Sequence, residues 1–106
     1  MRILFDQGTP TPLRHLLISH QVETAFERGW SALSNGDLLA AAEGESFEVF
    51  VTTDKNLRDQ QNFGRLRIAI VVLSSTSWPR IQKAASAVKQ AIDATSPGSL
   101  KDVIIP

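Results

Sequence analysis

Three aspartates stand where acid-dependent chemistry would need them. Asp6 closes the run RILFD. Asp54 follows Val49–Phe50–Val51 after a pair of threonines, and Asp37 lies in Ser34–Asn35–Gly36–Asp37 just ahead of Leu38–Leu39. Carboxylates that converge on one crevice repel, and each is disfavoured in its charged form unless a cation is present. Magnesium relieves that repulsion. It is a hard ion that prefers oxygen, keeps several waters, and commonly takes one or two carboxylates together with substrate phosphate. The reaction that fits is phosphodiester hydrolysis, in which the metal polarises a phosphoryl oxygen, activates water and steadies the leaving oxygen. Neither cysteine nor histidine is required. The chain has no cysteine, and its 2 histidines, His15 and His20, read as structural or surface residues of the first helical region.

Each acid also has a plain structural meaning. Asp6 suits a turn at a strand end. Asp37 suits a helix cap. Asp54, ahead of Lys55–Asn56, suits a turn or the cap of a following helix. Asp59 reads as part of an exposed helical face, and Trp30 and Trp78 as packing residues. The chemical reading therefore depends on whether the fold brings the three acids to one place.

The elements that must do so are punctuated clearly. Arg2–Asp6 is a short apolar run and reads as a buried strand. Gly8–Thr9–Pro10–Thr11–Pro12 breaks it. Thr11 is placed to cap a helix with Pro12 at its first position. Leu13, Leu16, Leu17 and His20 follow at the spacing of one helical face. Val22–Ala25 reads as a second strand. Ser34 and Asp37 resemble a capping box before a second helix through Leu38–Ala42. Phe47–Thr53 is the third strand, and Leu57–Phe63 a short helix ended by Gly64. Arg67–Leu73 (RIAIVVL) is nearly continuous in apolar, β-branched residues, as in a strand covered on both faces. Trp78–Pro79 opens the last helix, capped by Ser77 or Thr76. Its face carries Ile81, Ala84, Ala85, Val88, Ala91 and Ile92. Pro97–Gly98 ends it, and Val103–Ile105 is the final strand.

This alternation predicts an α/β fold: a mostly parallel sheet of about five strands between helical layers, joined by right-handed crossovers. In such a sheet every strand's carboxyl end lies along one edge, and ligands bind where strand order reverses. If the first and third strands are neighbours, Asp6 and Asp54 meet there, with Asp37 at the start of a helix that packs back from the same edge.

Bulk properties bound the rest. The 106 residues fit one domain spanning 1–106, large enough to bury a core without disulfides or a structural metal. The opening apolar stretch is too short for a signal peptide. No segment approaches the roughly 20 apolar residues of a membrane span, so a soluble, cytoplasmic protein is expected. Net charge is zero, which argues against nucleic-acid binding by bulk charge alone. Lys55, Arg58, Arg65 and Arg67 still form a local basic stretch, whose commoner meaning is a solvated, salt-bridged face.

The segments LFDQGTP, LSNGDLL and VTTDKNL, taken with RIAIVVLSSTSWPRI, resemble the compact PIN-like domains over essentially the whole chain. These are small nucleases found as toxins of bacterial toxin–antitoxin pairs, distantly similar to VapC toxins. The resemblance implies a three-layer α/β/α fold and Mg2+- or Mn2+-dependent endoribonuclease activity, with Asp6, Asp37 and Asp54 in the acidic positions. On that reading Asp6 and Asp54 hold the metal directly, and Asp37 binds it directly or through water. Asn56 orients that water or a phosphate, while Lys55 and Arg58 contact the RNA backbone. It also implies a cognate antitoxin partner.

Two departures from the family pattern stand out. Phe5–Asp6–Gln7 replaces the frequent F-D-E, and Asn56 stands where many relatives carry a fourth acid. Both lower the negative charge of the site, so weaker metal binding is expected, and a catalytically weakened or inactive PIN-like binding module is the alternative. A remote alternative is a receiver-like phosphoacceptor domain, with Asp54 as acceptor and Ser74 or Ser75 after the fourth strand. That fold needs a lysine at the end of its fifth strand, whereas Lys101 is expected before it. Apolar positions near Trp30 or Trp78 are candidates for a homodimer contact.

Overall fold

Alternating side-chain direction along a strand sorts the apolar residues of this chain onto two faces of one sheet. In the computed structural model, which describes residues 1–57 and 66–106, five strands run β1 (Arg2–Phe5), β2 (Gln21–Thr24), β3 (Val49–Thr52), β4 (Ala69–Leu73) and β5 (Leu100–Val103). All are parallel, in the order β2-β1-β3-β4-β5. Ile3, Phe5, Val49, Val51, Ala69, Val71 and Leu73 point to one face. There they meet Leu13 and Leu17 of the first crossover, together with Ile81, Val88 and Ile92. Leu4, Phe50, Ile70 and Val72 point to the other, against Leu38, Leu39 and Ala42. The result is the expected three-layer α/β/α arrangement. Each large side chain so buried contributes about 1.5–3 kcal/mol relative to exposure, and β3 and β4 are buried at every position.

The crossover elements differ in detail from the expected ones. The first is a 3₁₀ helix, Thr11–Leu16, whose N-cap is Pro10; no side chain caps it. Two prolines in three residues leave few backbone donors for a longer α-helix. Helix α1 (Asn35–Gly44) is capped as expected, with Ser34 Oγ accepting from the Asp37 backbone N–H at 3.4 Å. Ser46, in the left-handed conformation at φ 64°, follows its end.

The last amphipathic segment is two helices rather than one, α2 (Trp78–Lys83) and α3 (Ala85–Asp93). The break falls at Ala84, whose ψ of 16° departs from helical geometry. The predicted apolar stripe survives it, since Ala84 and Ala91 pack against the same core. Ser77 is the cap, accepting from the Arg80 N–H. Strand β5 lies earlier than the expected Val103–Ile105, so Lys101 is inside the strand and not before it. The expected helix over Leu57–Phe63 lies, beyond Leu57, outside the described residues. No helix of the described residues is long and apolar enough to cross a membrane.

Candidate active site

Strand order reverses between β1 and β3, since β2 lies outside β1 while β4 and β5 lie outside β3. That is the topological switch point, where open parallel sheets open a crevice at their carboxyl edge. Asp6 is the first residue beyond β1, and its backbone N–H continues the ladder to the Val51 carbonyl at 3.2 Å. Asp54 lies two residues beyond β3. The fold therefore puts these two acids on one edge of the sheet, from adjacent strands.

Asp6 is nearly buried, at 9 % exposure, and its carboxylate is held by hydroxyls and a backbone amide. Oδ1 accepts from the Thr9 N–H at 3.0 Å and faces the Thr9 hydroxyl at 2.6 Å. That hydroxyl also lies 3.0 Å from the Val51 carbonyl. Oδ2 accepts from the hydroxyl of Thr52. Thr52, wholly buried, in turn accepts from the Asp54 backbone N–H at 3.0 Å. One threonine thus links the two acids. Gly8 completes the turn after β1 in close contact with Thr53. A methyl group at position 8 would stand 2.5 Å from the Thr53 hydroxyl oxygen, well inside contact distance.

Asp54 is half-buried, and its side chain is oriented from both ends. Oδ1 accepts from the Asn56 backbone N–H at 3.0 Å, and Oδ2 accepts from the side-chain amide of Asn35 in the first turn of α1. The chain thus brings Asp6, Asp54 and Asn56 together, although Asn56 contributes its backbone here. Asp37 is exposed. Residues two apart on a helix point roughly 200° apart, so the turn that aims Asn35 at Asp54 aims Asp37 elsewhere. Among the described residues, no group of three or more acids or histidines is gathered so as to hold a metal ion. Lys55 is exposed at the same edge, lining a small depression with Ser74 and Asp102. Arg58 lies outside the described residues.

The donor set has room for an ion. A carboxylate offers about four lone-pair sites. Among the described residues Asp6 has three donors within reach and Asp54 two, so each retains an acceptor direction. Neither acid makes an ion pair with a described residue. Two carboxylates, with water and a substrate phosphate, satisfy magnesium's usual requirement.

Beside Asp6, on the β2 side, lies a cleft of about 500 Å3 walled by Gln7, Thr9, Thr11, Thr24, Phe26 and Glu27. Glu27 is bound by Arg14, with Nη1 to Oε2 at 3.2 Å, and accepts the Thr24 N–H at 3.0 Å. The Arg14 hydrogen bonds and the Thr24 amide draw its carboxyl down to about 2. The same pairing pushes Arg14 up.

Sequence reasoning missed Asn35, Thr9 and Thr52. Asn35 was absorbed into the capping pattern, and a threonine near a strand end reads only as a β-former. The LSNG and FVTT segments contain the signal, but its meaning depends on the register of β1 against β3. The tryptophans do pack: Trp30 stands edge-on to Phe47 at 6.2 Å, and Trp78 lies against the core. His15 is exposed and His20 bonds Asp93 Oδ1 at 2.9 Å, as surface and structural residues do. No family model, curated protein or solved structure matches the chain.

Proposed function

We infer that the chain is a metal-dependent endoribonuclease of the compact PIN-like kind, hydrolysing RNA phosphodiesters at the carboxyl edge of β1 and β3. The observation that carries this reading is the pairing of Asp6 and Asp54 across the switch point through Thr52, with no cation from the described residues bound to either. Asp6, fixed by Thr9 and Thr52, and Asp54, fixed by Asn35 and the Asn56 amide, would hold the ion. Bound Mg2+ or Mn2+ would supply Lewis-acid polarisation of the phosphate and an acidified water. Lys55, exposed at the same edge, would contact the RNA backbone, which positions substrate without reading sequence. Asp37 acts at most through water from its exposed turn. An antitoxin partner and a cytoplasmic setting belong to the same reading.

The test is RNA cleavage by the purified protein with and without Mg2+ or Mn2+. Cleavage is expected to require the ion and to vanish in Asp6→Asn and in Asp54→Asn. Undiminished cleavage by both variants sinks the assignment.

Two observations favour other readings. Asp37 stands apart and both acids are already hydrogen-bonded, which suits a PIN-like module that binds without cleaving. That module would form a lasting complex with its partner and show no thermal shift with magnesium. The strand order 2-1-3-4-5 is also that of receiver domains, which suits phosphorylation of Asp54. Against this, β5 ends on Val103, and Lys101 stands inside the strand. Labelling of Asp54 by acetyl phosphate would decide for the receiver.

A further inference from the structure

We propose that Phe26 is a base-stacking residue, and that the cleft it borders holds the nucleobase next to the phosphate bound at Asp6; this rests on the ribonuclease reading above. Phe26 is 78 % exposed. Lone exposed apolar side chains are ordinary on protein surfaces, so exposure alone carries nothing. What distinguishes this ring is how it is held and what it faces.

The ring stands on a tightly bonded turn. The Gly29 N–H donates to the Phe26 carbonyl at 3.0 Å, and the Arg28 N–H to the Thr24 carbonyl at 3.1 Å. The Glu27 N–H donates to the Thr24 hydroxyl at 3.1 Å. Gly29 closes the turn at φ 75°, a conformation that favours glycine. The side chain is thus displayed from fixed backbone at the carboxyl end of β2.

Phe26 borders the cleft of about 500 Å3 that contains Asp6. Gln7, Thr11 and Thr24 give that cleft amide and hydroxyl groups. Among the described residues its walls include no lysine or arginine, and Glu27 on its wall is already bound to Arg14. A phosphate would find no cationic side chain of the described residues there. A neutral, planar group with hydrogen-bonding edges would find an aromatic face and polar partners, and a nucleobase is such a group. A base reaches an aromatic side chain only when it is unstacked, so the substrate is single-stranded RNA.

The experiment uses the full chain carrying Asp54→Asn, so that RNA stays intact, and reads binding of a fluorescently labelled, mixed-sequence oligoribonucleotide by anisotropy in magnesium. Adding Phe26→Ala or Phe26→Leu is expected to weaken binding about tenfold, whereas Phe26→Trp keeps it. The same RNA as a duplex should bind alike to the parent and to the chain with Phe26→Ala added. In the otherwise native chain, the Phe26→Ala loss should fall on KM with kcat little changed, as for uniform binding. Binding by Phe26→Ala within twofold of its parent, while the native chain still cleaves RNA, overturns the stacking role alone. A native chain that neither binds nor cleaves RNA overturns both this proposal and the ribonuclease reading.

Discussion

Two charged clusters in this molecule are built on opposite principles. On the α1 face, Arg2 and Arg28 are surrounded by partners. Arg2 meets Glu23 at 3.3 Å and the Glu45 carbonyl, and lies 4.3 Å from the centre of the Phe47 ring. Arg28 meets Glu23 at 3.5 Å and Glu45 at 3.4 Å, and stacks over Trp30 and Phe47. Each cation there has both an anion and an aromatic face. At the carboxyl edge, Asp6 and Asp54 have, among the described residues, only hydroxyl and amide donors. Charge in the first cluster is neutralised within the chain and serves packing. Charge in the second is oriented but not neutralised by the described residues, as the proposed metal site would require.

The contrast can be broken most forcefully at Asp54. Asp54→Asn should cut metal-dependent RNA cleavage by about a hundredfold or more, the scale of losing an ion's charge stabilisation. Its melting temperature should barely move, because the Asn35 amide can turn to meet the new side chain. A second measurement compares thermal melting with and without magnesium. Saturation at a hundred times the dissociation constant should add about 2.7 kcal/mol, and Arg28→Ala should leave that gain intact.

The paired cluster should respond in stability alone. Arg28→Ala removes two ion pairs and two ring contacts and should cost about 1–2 kcal/mol, read by chemical denaturation, with cleavage unchanged. The smallest effect concerns Glu27, whose carboxyl is drawn down to about 2 by Arg14. A carboxylate with a lowered folded-state value contributes stability that is full above the ordinary value, near 4.5. That contribution is lost as pH falls towards 2. The pair is partly exposed, its side chains at 27 % and 47 %, so solvent screening should hold it to less than about 1 kcal/mol. An acid titration of Glu27→Gln beside the native chain should show the two stabilities converging below pH 4.5.

How much of this was legible depends on the range of the interactions involved. The parallel sheet follows from RIAIVVL and the alternation around it, because strands covered on both faces must be apolar throughout. The meeting of Asp6 with Asp54 follows from topology, since a strand end has only one edge to occupy. The break at Ala84 was not legible, because Ile81–Ile92 keeps its helical spacing across it. Strand β5 reads late from sequence because Lys101 and Asp102 make LKDV look polar, whereas Val103–Ile105 is apolar throughout. Asn35 outran local reading altogether. Its partner lies 19 residues away, and only the docking of α1 decides which side of its first turn faces the acids.

Thr52 has a further bearing on how this edge can be probed. Its oxygen already receives the Asp54 N–H, and its single hydrogen is committed to Asp6. Across from it, the Thr9 N–H points at the other carboxylate oxygen. An amide at position 6 that turns its NH2 to Thr52 leaves that hydroxyl hydrogen without its acceptor, and turned the other way it faces the Thr9 N–H, which keeps only the Asp6 backbone carbonyl at 3.3 Å. Asparagine is the same shape as aspartate but has one acceptor oxygen where the site presents donors to two, and the poorer match should cost about 1 kcal/mol of stability. Position 6 is thus framed for two acceptor oxygens whatever it binds, and residue 54 is the place where charge can be removed without disturbing the frame.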